Sequence, residues 1–136
     1  MIHFLYQTPF KLKQITRIKK LLKTIALNEK RTIQSISIIL TNDDFLLEMN
    51  KKFLAHDYYT DIITFDYTDK PDQLYGELYI SIDMAQHNAK EYNVPVHNEL
   101  LRLIIHGTLH LLGYNDKSPT EKKIMTDKEN LYLSIY

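Results

Sequence analysis

The segment Asn98–Asp116, with the sequence NELLRLIIHGTLHLLGYND, decides the fold of this chain. From Asn98 to Leu112 its apolar side chains cover nearly the whole circumference of a helix, which is typical of a helix buried on all sides. Gly113 follows directly, and glycine is the residue that most often ends a helix in the left-handed conformation. We therefore predict a domain built around one central, buried helix that ends at Gly113.

Shorter elements lie before and after this helix. Runs of β-branched and aromatic residues predict four strands, and apolar periodicity with capping residues predicts four more helices. The strands are Ile2–Tyr6, Ser35–Leu40, Asp61–Tyr67 and Tyr75–Ser81; the helices are one that begins at Thr8-Pro9, Phe45–Phe53, about Ile82–Tyr92, and one that begins at Ser118-Pro119. On a chain of 136 residues, the order βαβαββααα predicts a single α+β domain over residues 1–136, with a mixed sheet of about four strands packed with about five helices.

The composition is that of an ordinary globular domain, with 44% hydrophobic and 25% charged residues. The chain has no cysteine, which excludes a disulfide scaffold, a thiolate zinc site and a cysteine nucleophile. No apolar run approaches the roughly 18 residues of a membrane span, and the N-terminus lacks the pattern of a signal peptide. We therefore expect a cytoplasmic protein with no membrane partner, in which any metal site uses histidines and carboxylates.

The net charge of zero hides an asymmetry along the chain. The first 35 residues contain eight Lys or Arg and one acid, whereas residues 36–100 contain four basic and twelve acidic residues. Lys13, Arg17, Lys20 and Lys23 lie off the apolar stripe of the first predicted helix, so that its outer face is basic. Such a face can contact phosphates, although a solvated surface explains it equally well. A neutral total therefore does not exclude an RNA partner.

His106 and His110 are the strongest chemical signal. They lie one helical turn apart, so both imidazoles project from the same face and can bind one metal ion. Gly113 lets the chain turn, and Asp116 three residues later can return as a third ligand. We predict a metal site at the end of the central helix, with a fourth position open to water. A metal ion bound there would lower the pKa of that water. The alternative is a pair of hydrogen-bonded core histidines.

The same three residues can be compared with the metal-binding motifs of two other classes of enzyme. It matches the zinc motif of metzincin proteases, H-E-x-x-H-x-x-G-x-x-H. Gly107 stands where those enzymes have their general base, and Asp116 stands where they have a third histidine, which argues against peptide hydrolysis. Two histidines and a carboxylate are also the ligands of non-haem iron oxygenases, an alternative that stays open although those ligands normally come from separate strands.

Three ordered blocks of the chain resemble one known family. HGTLHLLGY at 106–114 is similar to the signature of the YbeY family of metal-dependent endoribonucleases, which mature ribosomal RNA in bacteria. NKKF at 50–53, Asp57 and TDIITF at 60–65 resemble its segment ending in T-D-V-L-S-F, and GELYIS at 76–81 resembles its G-D-I-x-I-S strand. The resemblance implies a single-strand-specific endoribonuclease that acts in small-subunit rRNA 3′ end processing and ribosome quality control. It also implies zinc or a similar divalent ion, with a ribosomal RNA precursor and the small ribosomal subunit as partners.

Two positions depart from the family pattern. Asp116 stands where the third ligand is usually histidine, and a carboxylate favours harder metals somewhat more. Leu54 stands where the family usually has an arginine that serves the RNA, and Lys51 and Lys52 are the nearest cations. Either one of these lysines contacts the substrate in place of the arginine, or the catalytic activity of this protein is weakened.

Asp61 and Glu77 lie within the blocks of resemblance and are the expected catalytic residues. Each could shuttle a proton or orient a metal ligand; the alternatives are that Asp61 caps a loop and that Glu77 faces solvent from a strand. Because Leu54 replaces the family arginine, the main alternative function is a non-catalytic ribosome-assembly factor with a structural metal site. Another metal-dependent hydrolase is a further alternative.

Overall fold

The computed structural model describes residues 1–136 and has nine elements in the predicted order. The strands are β1 (Ile2–Tyr6), β2 (Thr32–Thr41), β3 (Ile62–Asp66) and β4 (Gln73–Ser81). The helices are α1 (Ile15–Asn28), α2 (Asp43–Leu54), α3 (Ile82–Glu91), α4 (Val96–Leu111) and α5 (Pro119–Ser134). The predicted α+β class is therefore confirmed. No helix has both the length and the apolar composition needed to cross a membrane.

The four strands form one mixed sheet in the order β1-β2-β4-β3. β1 and β4 both pair parallel to β2, whereas β3 pairs antiparallel to β4. The parallel pairs are connected through helices, as parallel pairing requires, and the antiparallel pair is connected by a turn. β3 is thus an edge strand with one unpaired side.

Helix α4 is the centre of the domain, as its sequence predicted. Ten of its 16 residues are buried, and it packs against β3, β4, α3 and α5. A main core of 24 buried residues joins one face of the sheet to α1 and α4. A smaller cluster of Leu46, Met49 and Ile63 joins α2 to the other face. The sheet therefore has α4 on one side and α2 on the other, and both helices end near β3.

The first helix begins later than the sequence predicted. The Thr8 hydroxyl accepts a hydrogen bond from the Phe10 amide at 3.1 Å, so this residue closes a local turn instead of capping a helix. Gln14 then has a φ of 60°, a left-handed conformation that interrupts a right-handed helix. The predicted start at Thr8-Pro9 is wrong because a short turn satisfies the same hydroxyl, and α1 begins at Ile15.

The predicted start of α5 at Ser118-Pro119 and the predicted end of α4 at Gly113 are confirmed, whereas α2 and α4 each begin two residues before the predicted Phe45 and Asn98. Asn42 accepts a hydrogen bond from the Phe45 amide at 2.9 Å, and Ser118 and Glu121 form a capping box at the start of α5. Gly113 has a φ of +101°, which glycine adopts without strain. The turn at Gly113 ends α4 and starts the short loop that leads to α5.

Candidate metal centre

The end of α4 and the loop after it bring three ligand groups together. The Nε2 atoms of His106 and His110 lie 3.0 Å apart. Asp116 Oδ2 lies 3.2 Å from the Nε2 of His106 and 3.4 Å from the Nε2 of His110. All three side chains are half-buried. The three residues that the sequence singled out as ligands therefore converge on one point.

The separations between these atoms fit a single metal ion. Ligands about 2.0–2.1 Å from a tetrahedral ion lie about 3.3 Å from one another, and the three observed distances lie close to that value. Three protein ligands occupy one face of the tetrahedron, so that a fourth position is left for water or substrate. Two imidazoles and one carboxylate suit zinc and other first-row divalent ions.

Each histidine is held through its outer nitrogen by a different part of the chain. His106 Nδ1 lies 2.6 Å from Glu129 Oε2 on α5, and Arg102 donates to the other oxygen of that carboxylate at 2.7 Å. His110 Nδ1 lies 2.9 Å from the carbonyl oxygen of Tyr114. Both acceptors select the tautomer with the proton on Nδ1, which leaves both Nε2 lone pairs for a metal.

Burial and charge act in opposite directions on His106. Burial lowers the pKa of its imidazole, but the hydrogen bond that it donates to Glu129 and the negative charges of Glu129, Asp116 and Asp61 outweigh burial and hold that pKa above its ordinary value. A metal ion would therefore compete with a proton for Nε2 and would bind with release of that proton. Glu129 itself is only 7% exposed, and each of its two oxygens has a hydrogen-bond partner, Arg102 for one and His106 for the other.

Gly107 lies where α4 crosses closely over the sheet. A Cβ atom at this position would lie 2.8 Å from the Leu78 side chain and 3.0 Å from the Ile62 side chain. A side chain here would enter the contact between α4 and the sheet. The position that holds a general base in metzincin proteases therefore has no space for one in this protein.

The metal ligands lie in a cleft of about 600 Å³ between the end of α4, the end of α2 and β3. Its other lining residues are Asn50, Leu54, His56, Tyr58, Thr60, Asp61, Ile62, Ile63, Thr64, Asp66 and Lys117. Asp61 is held there by Asn88, whose amide donates to Asp61 Oδ2 at 3.1 Å and to Glu99 Oε2 at 3.3 Å. Asp61 is thus an oriented carboxylate that shares the cleft with the three ligands.

Glu77, the other expected catalytic carboxylate, does not line the cleft. Side chains alternate along a strand, and its neighbour Leu78 contacts α4 at Gly107. Glu77 therefore lies on the opposite face of β4, where its Oε1 accepts a hydrogen bond from the Tyr67 hydroxyl at 2.9 Å. The structure brings Asp61, but not Glu77, together with the metal ligands.

Lys51 and Lys52 lie at the end of α2 but do not line the cleft. Lys51 Nζ is 3.6 Å from Asp57 Oδ1, and Lys52 Nζ is 5.4 Å from the centre of the Phe53 ring. Leu54, which replaces the family arginine, is 42% exposed and does line the cleft. Lys51 and Lys52 therefore lie beside the cleft and do not occupy the position of the missing arginine, whereas Lys117 after α4 does line the cleft.

Sequence reasoning missed the groups behind the ligands. Arg102 precedes His106 by one helical turn, so helical spacing could have identified it. Glu129 has no such signal, because only the packing of α5 on α4 brings it to His106. His56 lacks a partner at ligand spacing in the sequence, yet it lines the cleft and its Nδ1 lies 3.0 Å from the Tyr58 hydroxyl.

The fold and the site together define a single-domain α+β protein in which three potential metal ligands face a wide cleft. A sequence model of the family Endoribonuclease YbeY matches residues 6–136. The chain therefore belongs to the endoribonuclease YbeY family, and the resemblance indicated by the sequence motifs is confirmed.

Individual relatives agree over nearly the whole chain. Endoribonuclease YbeY of Cytophaga hutchinsonii is 44% identical over 132 residues, which cover 97% of this chain and 92% of the relative. Endoribonuclease YbeY of Flavobacterium psychrophilum is 38% identical over 136 residues, which cover 100% and 96%. The solution structure of TM1509 from Thermotoga maritima is similar, with a TM-score of 0.71 and 32% identity over 98% of this chain and 87% of that one.

Proposed function

We propose that this protein is a metal-dependent, single-strand-specific endoribonuclease that acts in ribosomal RNA maturation. The observation that carries the proposal is the convergence of the His106, His110 and Asp116 ligand atoms in an open cleft. Membership of an endoribonuclease family supports RNA as the substrate class. It also favours RNA cleavage over the iron-oxygenase alternative, which has the same ligand types.

The residues of the cleft have distinct proposed roles. His106, His110 and Asp116 would hold one divalent ion, which when bound supplies Lewis-acid stabilisation of a phosphodiester and a more acidic water. Asp61 is the proposed catalytic carboxylate that accepts or returns a proton, since it alone of the two expected carboxylates lines the cleft. Asn88 orients Asp61, and Glu129 keeps His106 in its metal-binding tautomer.

Zinc is the proposed metal. Two neutral imidazoles and spacings that fit a small tetrahedral ion favour zinc over magnesium or calcium, which prefer oxygen ligands and more of them. Asp116 adds a negative charge where the family pattern has an imidazole, so manganese is expected to bind better here than at a three-histidine site.

The proposed substrate is a ribosomal RNA precursor in the small ribosomal subunit, near its 3′ end, with a role in ribosome quality control as the family resemblance implies. The open cleft beside edge strand β3 suits an extended single strand, and Lys51 and Lys52 beside it are the proposed phosphate contacts. The cytoplasmic location expected from the sequence belongs to this same proposal.

A non-catalytic ribosome-assembly factor is the second candidate function. Leu54 at the cleft wall favours it, because an apolar side chain there cannot neutralise a phosphate. In that case the metal would stabilise the end of α4 without taking part in a reaction.

Cleavage of a small-subunit ribosomal RNA precursor by the purified protein tests the proposal. We expect cleavage by the zinc-loaded protein, loss of cleavage after chelation, recovery on return of zinc, and no cleavage by His110→Ala. RNA binding without cleavage by the loaded protein would favour the assembly factor. Cleavage that resists both the chelator and the substitution would come from a contaminating nuclease and would overturn the proposal.

A further inference from the structure

Glu29, at the end of α1, is the centre of a polar cluster outside the metal site. Its Oε1 accepts a hydrogen bond from the Tyr114 hydroxyl at 2.6 Å. Its Oε2 accepts from the Tyr132 hydroxyl at 2.9 Å and from the Lys128 ammonium at 3.1 Å. The Glu29 side chain is 17% exposed. One largely buried carboxylate thus joins the end of α1, the loop after α4, and α5.

The backbone that presents this carboxylate is rigid. Lys30 has a φ of 61°, and the amides of Lys30 and Arg31 donate to the carbonyls of Leu27 and Ala26 at 3.0 Å and 2.8 Å. This pair of hydrogen bonds is the Schellman ending of an α-helix. Glu29 therefore extends from a well-defined helix end packed on the main core.

The Glu29 carboxylate is ionised at neutral pH. Burial raises its pKa, but the hydrogen bonds from Tyr114, Lys128 and Tyr132 outweigh burial and hold that pKa below its ordinary value. Hydrogen bonds to a charged acceptor are stronger than those between neutral groups. The Tyr114 hydroxyl is consequently held by a strong acceptor at a fixed place.

Tyr114 connects this cluster to the metal centre. Its carbonyl oxygen accepts from His110 Nδ1 at 2.9 Å, and Asp116 lies two residues further along the same loop. The loop from Gly113 to Asp116, which we call the metal loop, belongs to no helix or strand. Tyr114 therefore holds Glu29 with its side chain and a metal ligand with its backbone.

We propose that Glu29 is a positioning residue for the metal centre, because through the Tyr114 hydroxyl it fixes the metal loop that supplies Asp116 and the carbonyl partner of His110. This inference rests on the metal site of the proposed function. Ligand groups must be held within about 0.5 Å of their binding geometry to bind well. Backbone hydrogen bonds from the Gly113 and Tyr114 amides to the carbonyls of His110 and Leu109, each 3.0 Å long, also hold the start of the loop. Without the Glu29–Tyr114 hydrogen bond the loop would depend on these two bonds alone, and its affinity for a metal ion would fall.

A matched pair of tyrosine variants tests this role. Tyr114→Phe and Tyr132→Phe each remove one hydroxyl from Glu29, but only Tyr114 belongs to the metal loop. The measurements are the Zn²⁺ affinity by chelator competition, the visible absorption of the Co²⁺-loaded protein, and the urea unfolding midpoint. Glu29→Gln is the third variant, and wild-type protein is the reference.

We expect Tyr114→Phe and Glu29→Gln to weaken Zn²⁺ binding about tenfold, as the loss of a group behind a metal ligand does, and to change the Co²⁺ spectrum. Tyr132→Phe should change the Zn²⁺ affinity less than about twofold while it lowers the unfolding midpoint as much as Tyr114→Phe, since each loses one hydrogen bond. Equal Zn²⁺ affinities for the two tyrosine variants would overturn the positioning role.

The same experiment separates this inference from the proposed function. If the predicted affinities are observed but the protein does not cleave RNA, the endonuclease proposal fails and the positioning role stands. If wild-type protein binds neither Zn²⁺ nor Co²⁺, the metal site fails and the positioning role is overturned with it.

Discussion

The two walls of the cleft are built in different ways. On the metal wall, formed by the end of α4, the metal loop and α5, the outer nitrogen of each histidine has its own hydrogen-bond partner. On the opposite wall, residues 51–59 at the end of α2 and in the following loop are all exposed. Two hydrogen bonds connect that loop to buried Asn50. The Asn50 side-chain amide donates to the Tyr58 carbonyl at 2.8 Å, and the Asn50 backbone carbonyl accepts from the His56 amide at 3.0 Å.

The proposed function explains this difference by what each wall would bind. A metal ion tolerates only small errors in ligand position, so its ligands need support from several elements. A single-stranded RNA varies in sequence and conformation, so the wall that receives it can be exposed and adaptable. Metal affinity should therefore respond to substitutions on the metal wall, and RNA affinity to substitutions on the opposite wall.

The largest expected effect is from His110→Ala on the metal wall. We expect at least about 100-fold weaker metal binding, equivalent to about 2.7 kcal/mol, because only two ligands remain. The Tyr114 carbonyl also loses its hydrogen-bond donor, His110 Nδ1. Elemental analysis of the purified variant measures the occupancy. The control is His87→Ala, which removes an exposed histidine paired with Glu91 on α3. Full metal occupancy in His110→Ala would rule out the site.

Glu129→Gln should have the next largest effect. It weakens the acceptor behind His106 and leaves Arg102 without its charged partner, so we expect about 10–100-fold weaker metal binding and a loss of about 1–3 kcal/mol in unfolding free energy. Chelator competition and urea unfolding measure the two changes. Asp127→Asn is the matched control on α5, since Asp127 is exposed and pairs with Lys123. If both variants bind metal equally well, the support behind His106 has no energetic role.

Glu29→Gln should change how stability depends on pH. The pKa of Glu29 is lowered in the folded protein, so its stabilisation is fully present above the unfolded pKa of about 4.5 and is lost as the pH falls through the lower, folded pKa. We expect the free energy of unfolding of wild type to exceed that of the variant by about 1 kcal/mol at neutral pH. This difference should shrink as the pH falls below about 4.5.

Urea unfolding from neutral to acid pH measures this difference. Glu48→Gln is the control, because Glu48 is exposed and lies 4.0 Å from Lys51 Nζ. Its curve should run parallel to that of wild type. A Glu29→Gln difference that stays constant down to strongly acid pH would contradict an ionised Glu29.

The smallest expected effect is from Leu54→Arg on the opposite wall. An arginine at this cleft position should neutralise one more phosphate, which steepens the dependence of log affinity on log salt by about 0.7 for a single strand. Fluorescence anisotropy with a short single-stranded RNA over a range of salt concentrations measures the slope. Leu131→Arg adds the same charge on α5 outside the cleft. Equal slopes for the two variants would show that the opposite wall does not contact the RNA backbone.

Much of the fold could be predicted because it depends on short-range patterns. The apolar circumference of α4, its end at Gly113 and the start of α5 at Ser118-Pro119 each depend on residues a few positions apart, and all are confirmed. The start of α1 was missed because Thr8-Pro9 is compatible with two short-range structures, a turn and a helix start. Only the left-handed Gln14 shows which of the two forms.

The candidate site also contains features that the sequence predicts and features that it does not. The convergence of His106, His110 and Asp116 could be predicted because the three residues lie within eleven positions, where helix geometry and one glycine determine their relative positions. The two expected catalytic carboxylates could not be ranked, since Asp61 and Glu77 lie equally well within the family motifs. The alternation of β4 places Glu77 on the far face, and the start of β3 places Asp61 in the cleft.

By itself, the sequence determined the order of elements, the buried central helix and the three candidate ligands that cluster at its end, because these depend on interactions within one or two turns of chain. Only the tertiary structure decided what supports those ligands. Glu129 is 23 residues from His106 in sequence, and Glu29 is 85 residues from Tyr114. No periodicity spans such distances, so the packing of α1, α4 and α5 had to bring these charges to the metal wall.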